Sequence, residues 1–335
     1  MEKILSICVP SYNMEQYLAR NIESFLVEEC IDKIEVIVVN DGSTDNTLMI
    51  ANEFNEKYPE AIVVIDKKNG HYGSCVNAAL KIATGKYFRI VDADDFVDGD
   101  GLKKLVTDME NLDVDCFYTQ FTQICDGNFS LVDTECIDLP YNEEICIGKV
   151  KLPNGIFHMH CLSYRTQLLR DMDYRQSEGI CYTDLEFVYY PLMECKTIYL
   201  EDFPLYCYLL GREGQSVDIK SRKNNYSHFQ RIYERLTYHY QTSHDNMRTY
   251  LYVFFMCILL ENMFVISVLF NPMKENQVDL RHRISNLSFY NKNYIYRYKI
   301  SHLPAIKMWM RNNVFDKIVI FFLQRYYKWL QKYWL

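Results

Sequence analysis

The first 120 residues alternate short β-branched runs with stretches of helical character, and few folds satisfy that alternation. The runs lie at 3–9, 35–40, 61–65 and from Tyr87 to Val91. Each is short for a helix and too uniformly apolar for a strand with one wet face, so both faces must be covered. Helical stretches fall between them at about 14–28, up to about Lys57, and at about 74–83, with Ser43 or Thr44 placed to cap the second. Strand–helix alternation at this spacing predicts an α/β protein with a doubly wound, mostly parallel sheet and right-handed crossovers. A further helix near 100–110, a fifth strand at 115–121, a mixed connection or small hairpin at 126–156, helices at 165–171 and from Asp184, and strands at 197–200 and 205–210 complete the reading. From about 222 onwards the pattern is helical.

The fourth run ends abruptly in Asp92-Ala93-Asp94-Asp95. In an open α/β sheet, ligands bind at the carboxyl ends of the strands, which is where these acids fall. Three like charges this close repel, and a cation among them relieves the repulsion. Oxygen ligands without a nearby Cys or His pair point to a hard ion, Mg²⁺ or Mn²⁺. A solvated acidic turn has the same sequence, so the motif does not decide by itself.

Half of the 335 residues are apolar, enough for a sizeable core. The net charge of −8 makes a nucleic-acid partner a poor fit. Charge changes sign along the chain: 281–335 holds 11 Lys/Arg and one acid, Asp316. Basic residues mixed with Trp and Phe across 303–335 suit a helix lying on an anionic membrane surface, or one packed on the domain or on a second copy as a homodimer. The apolar run 250–270 has the length of a membrane span, but Glu261-Asn262 near its middle favours a buried helix. The twelve Cys contain no Cys-x-x-Cys and read as reduced thiols. No signal peptide precedes the first strand, so the expected location is cytoplasmic, peripheral on the inner face of the plasma membrane if the tail binds lipid.

Five pieces occur in the order of one family: Val9-Pro10-Ser11-Tyr12-Asn13, Val39 through Asp45, Asn69-Gly70 through Asn77, Ala83 through Tyr87, and Val91 through Asp95. Together they resemble the inverting nucleotide-sugar glycosyltransferases of family 2, which have the A-type glycosyltransferase (GT-A) fold, Rossmann-like in its nucleotide-sugar half. The resemblance covers 3–120 densely and 155–217 loosely. It implies a catalytic domain at 1–220, with a nucleotide-sugar half to about 120 and an acceptor half at 121–220, then a helical region at 221–335. It implies a UDP-sugar donor, a saccharide or lipid-linked saccharide acceptor, and Mn²⁺ or Mg²⁺. Uridine would sit on Pro10, Ser11, Tyr12 and Asp41, with Gly73 allowing close backbone approach, Asp92 on the ribose, and Asp94 on the metal. Asp95 would support that shell or lead a helix. Asp184 matches the family's late acidic position and would be the general base, with Thr183 standing where Glu is usual. Arg212 and Gln215-Ser216 match a loop that closes over pyrophosphate. His158 and His160 would flank the cleft, more in keeping with satisfied core histidines. Two departures stand out: His71 where Gly is usual, and Val76 where a basic residue often precedes Asn77.

Two other classes share parts of this pattern. A nucleotidyltransferase also uses carboxylates and Mg²⁺, but it would want a basic Gly-rich loop after the first strand, where Pro10–Asn13 has neither Gly nor Lys. A non-catalytic sugar-binding module on the same fold would not need Asp92, Asp94 and Asp184 together.

Overall fold

The computed structural model describes residues 2–125, 137, 139–149, 157–210, 225–240, 246–270, 273–290, 303–311 and 317–325. The chain divides into two compact units, Met1–Arg212 and Glu213–Leu335.

In the first unit the β-branched runs become β1 (Leu5–Ser11), β2 (Ile34–Asn40), β3 (Ile62–Asp66) and β4 (Tyr87–Ile90). They pair in parallel in the order β3-β2-β1-β4, and β1 and β2 are buried along their whole length. The sheet continues through β8 (Leu162–Arg165), β6 (Cys116–Cys125) and β9 (Thr197–Leu210), with β5 (Phe96–Val97) and β7 (Glu144–Cys146) pairing to β9. Strand β8 runs antiparallel to both β4 and β6, so the sheet is mixed but mostly parallel. Helices α1 (Leu18–Glu23), α2 (Thr47–Lys57), α3 (Tyr72–Ile82), α4 (Gly99–Asn111), α5 (Thr166–Asp171) and α6 (Asp184–Glu194) connect the strands.

Four local readings change. Strand β1 does not stop at Pro10 but pairs through Ser11 with β2. Cys8 faces β4, where its carbonyl accepts from Val91 N, and strand alternation points Pro10 the same way, beyond the end of β4. The missing N–H therefore costs no ladder bond. Helix α1 is far shorter than 14–28, because the loop after β2 claims the preceding backbone: Asn13 N donates to Ser43 Oγ (3.0 Å), Met14 N to Thr47 Oγ1 (2.7 Å) and Glu15 N to Asp45 Oδ2 (3.1 Å). Ser43 thus ties two loops together, and α2 starts at Thr47. The two short strands expected at 197–210 are one, which shifts register against β6 near Gln120.

A buried polar lock sits at the opposite end of the sheet. Glu35 Oε1 accepts from Ser6 Oγ (2.5 Å), Gly85 N (3.1 Å) and Thr84 N. A Cβ on Gly85 would lie 2.5 Å from Ser6 N, so only glycine fits there.

The second unit is helical where it is described: α7 (Tyr226–Tyr240), α8 (Asn246–Phe264) running into a π-helical turn (Val265–Phe270), α9 (Lys274–Tyr290), α10 (Leu303–Arg311) and α11 (317–325). Residues Leu251–Leu269 are long and apolar enough to cross a membrane, and 78% of them are buried inside the protein. The π turn frees carbonyls from the helical ladder. Gln277 Nε2 donates to Ser267 O (3.2 Å) and Gln324 Nε2 to Val268 O (2.6 Å), tying α9 and α11 to it. Arg281 lies 3.9 Å over the Trp309 ring and donates to its carbonyl, joining α9 to α10.

Candidate active site

Because β1 to β4 run parallel, their carboxyl ends gather on one edge of the sheet, and the loops that follow them build the site. After β1 the ring of Tyr12 stands open, 47% exposed, while Ser11 is buried and its hydroxyl donates to Val9 O. After β2 comes Asp41, 3% exposed, whose backbone N–H donates to Ser11 O (2.8 Å). Its carboxylate accepts from Lys67 Nζ (2.6 Å) and Gly70 N (2.9 Å), both in the loop after β3. The loops that carry Pro10, Ser11, Tyr12 and Asp41 therefore meet at Ser11 and Asp41. Lys67 was absent from the sequence reading; one Lys in a Lys-Lys pair carries no local signal.

After β4, the carbonyls of Asp92 and Asp95 both accept from Asn21 Nδ2, and Arg20 donates to Asp94 O (3.2 Å). Asp92 Oδ1 accepts from Tyr72 OH (2.7 Å). Asp95 does not lead a helix: α4 begins at Gly99 and is capped by Asp98, whose Oδ1 accepts from Gly101 N (2.8 Å). Asp95 is buried and accepts from Tyr206 OH (2.5 Å) and Leu209 N (2.7 Å), fastening the acidic loop to β9. Burial, then the carboxylates of Asp94 and Asp92, push its carboxyl up to about 9. Tyr72 and Tyr206 were also missed; their signal lies in tertiary contacts alone.

Asp184 is the first residue of α6 and is half-buried. Its charge acts on Tyr72 and on Tyr208, and both tyrosines also feel Asp92. Asp184 is thus within electrostatic range of Tyr72, whose hydroxyl donates to Asp92. The phenol of Tyr208 is pushed up to about 12, by burial and then by Asp95, Asp92, Asp94 and Asp184. Glu186 turns inward instead: it is fully buried and accepts from Ser177 N (2.6 Å) and Ser177 Oγ (2.9 Å).

Gly73 has a packing role. A Cβ there would lie 2.0 Å from the carbonyl oxygen of Ser177, so the close approach that Gly73 permits is that of the 176–179 loop. This loop, also held by Asn77 and by Gly179 N donating to Gly70 O (3.0 Å), carries the chain to α6 and sets the position of Asp184.

His158 and His160 stack with ring centroids 5.1 Å apart, and His160 stacks on Tyr208 at 5.5 Å. Burial lowers the imidazole of His158 to about 4, and burial followed by His158 and Arg89 lowers His160 well below its usual value. His160 is not a fully satisfied core histidine: its Nε2 has no hydrogen-bond partner among the described residues. Arg212, Gln215 and Ser216 lie outside the described residues.

No group of three Asp, Glu, His or Cys side chains forms a metal cage among the described residues. Mg²⁺ and Mn²⁺ do not need one, since one or two carboxylates plus substrate phosphates hold them. Asp94 with Asp92 fits that demand, and a cation there would offset the part of the Asp95 shift that comes, after burial, from these two carboxylates.

The profile of Glycosyl transferase family 2 matches residues 6–173. The chain belongs to this family. Among curated relatives, a chondroitin synthase of Escherichia coli is 35% identical over 117 residues, which is 35% of this chain and 17% of the synthase. The minor teichoic acid biosynthesis protein GgaB of Bacillus subtilis is 41% identical over 93 residues, 28% of this chain and 10% of that protein. The chain therefore matches only a small part of these longer relatives. Among solved structures, S. aureus TarS 1–349 in complex with UDP-GlcNAc superposes with a TM-score of 0.61 at 21% identity, over 85% of this chain and 80% of that one. The mannosyltransferase PcManGT of Pyrobaculum calidifontis, in complex with GDP-Man and Mn2+, gives 0.53 at 14% identity over 97% and 85%. These likenesses establish the GT-A fold for this family 2 member.

Proposed function

We propose that the protein is an inverting glycosyltransferase that moves a sugar from a UDP-sugar to a saccharide or lipid-linked saccharide acceptor, in bacterial surface polysaccharide synthesis. The observation that carries this is the gathering of Asp41, Asp92, Asp94 and Asp95 in the loops at the carboxyl ends of β2 and β4, with Tyr72 OH on Asp92 and Tyr206 OH on Asp95. Uridine lies against Tyr12 with Asp41 on its base, and Asp92 takes the ribose. Asp94 would hold Mn²⁺ or Mg²⁺, and the bound ion would supply charge neutralisation for the leaving group. Asp184 takes the proton of the acceptor hydroxyl; that oxygen bonds to C1 of the sugar from the opposite face, and the C1–O bond to the diphosphate breaks with its electron pair. The names of the relatives, a polysaccharide synthase and a teichoic acid protein, support the acceptor class, and the UDP-GlcNAc complex of TarS supports the donor.

The test is release of free nucleotide from a panel of sugar nucleotides, with Mn²⁺ and with a chelator. Release from a UDP-sugar that needs the metal and is lost in Asp94→Asn is expected. A panel in which no sugar nucleotide is turned over, with any saccharide acceptor offered, overturns the reading.

A further inference from the structure

We propose that Lys67 is the positioning residue that commits the nucleobase pocket to a base presenting an N–H, uracil rather than cytosine. This rests on the UDP-sugar reading. The resemblance expects a basic side chain just before Asn77, but Val76 is fully buried in α3. The pocket takes its cation from the end of β3 instead. Lys67 Nζ donates to Asp41 Oδ1 (2.6 Å), Ser74 Oγ (2.7 Å) and Lys68 O (2.7 Å), so all three ammonium protons have acceptors. Its position is therefore fixed from three sides. Ser74 Oγ is in turn bonded to His71 O (2.7 Å), anchoring the tripod to the first turn of α3.

Two donors, Lys67 Nζ and Gly70 N, meet on Asp41 Oδ1. That arrangement suits an ionised carboxylate, which only accepts. It also holds the carboxylate in place, with the Cys75 thiol as its further neighbour. A carboxylate held this way takes the N3–H of uracil and repels the N3 lone pair of cytosine, so selectivity arises as much from the rejected base as from the accepted one. With Lys67 gone, the buried carboxylate loses its charge partner and its fixed place, and the distinction between the two bases goes with them.

The experiment is calorimetric titration of UDP and of CDP, with Mn²⁺, into the wild type and the K67M, K67R and D41N variants, with a melting curve for each. Wild type is expected to prefer UDP. K67M should lose UDP affinity on the order of 10–100-fold, as when one partner of a buried charge pair is removed, while CDP changes little, so the preference collapses. K67R should keep most of it, which separates the charge from the fold. A K67M protein that retains the UDP-over-CDP preference while D41N loses it overturns the role of Lys67 and leaves the donor reading standing. Equal weakening of UDP and CDP also overturns it, by reducing Lys67 to general attraction for phosphate. A wild type that binds neither nucleotide, or both equally, defeats the donor reading and this inference together.

Discussion

Asp184→Asn keeps the shape of the side chain and removes its ability to take a proton. Transfer is expected to fall by about 10²–10⁴-fold. UDP affinity should stay near wild type, because the proposed reading rests it on Asp41, Asp92 and Asp94, on other loops. Steady-state transfer rates beside UDP calorimetry check this; transfer at close to the wild-type rate would move the base elsewhere. Glu186 is no substitute, since Ser177 holds it inside the protein. A second residue-scale prediction concerns His158. Its pKa falls from 6.5 to about 4 on folding, through burial. The stability linked to this neutral imidazole is fully present above pH 6.5 and is lost as pH falls through about 4. The amount is on the order of 3 kcal/mol. Phe121 and His160 pack against it, and neither supplies a counter-charge. His158→Phe should therefore flatten the drop in urea midpoint between pH 7 and pH 4; an unchanged drop would assign the acid lability to other groups.

At the scale of elements, the 176–179 loop decides where α6 begins. Gln176 Nε2 donates to Thr183 Oγ1 (2.9 Å), Ser177 grips Glu186, and the loop lies directly on Gly73. Gly73→Ala places a methyl 2.0 Å from a backbone oxygen, and a backbone atom cannot rotate away as a side chain can. Overpacking of this kind costs about 1–3 kcal/mol. The variant should melt lower and lose transfer out of proportion to UDP affinity, because the displaced loop carries Asp184. A variant with wild-type melting and transfer would show that the loop moves freely.

For the whole molecule, the charge asymmetry finds a surface in the second unit. On α11, Ile318, Phe321 and Phe322 are exposed, flanked by exposed Lys317 and Arg325. Exposed aromatics beside cations suit the interface of an anionic bilayer. The full-length protein is expected to float with phosphatidylserine vesicles and to stay behind with neutral ones, while Phe321→Ser/Phe322→Ser weakens flotation. Equal flotation of the double variant, or self-association lost in that variant, would favour packing against a second copy instead.

Local physics was enough to make the four parallel strands and the placement of Asp92 and Asp94 legible in sequence, while Asp184 came from the family resemblance alone. A β-branched run covered on both faces has one solution, and acids at its end fall at the carboxyl edge whatever the rest of the chain does. Backbone chemistry that depends on a distant partner stayed hidden. Nothing local says that Ser43 serves Asn13 rather than α2, that Gly73 makes room for Ser177, or that Tyr206 on β9 reaches Asp95. Each of these contacts spans 30 or more positions along the chain, so only the closed sheet brings the partners together. The same holds for Lys67, which local sequence leaves as one cation among 36 and the fold places on Asp41.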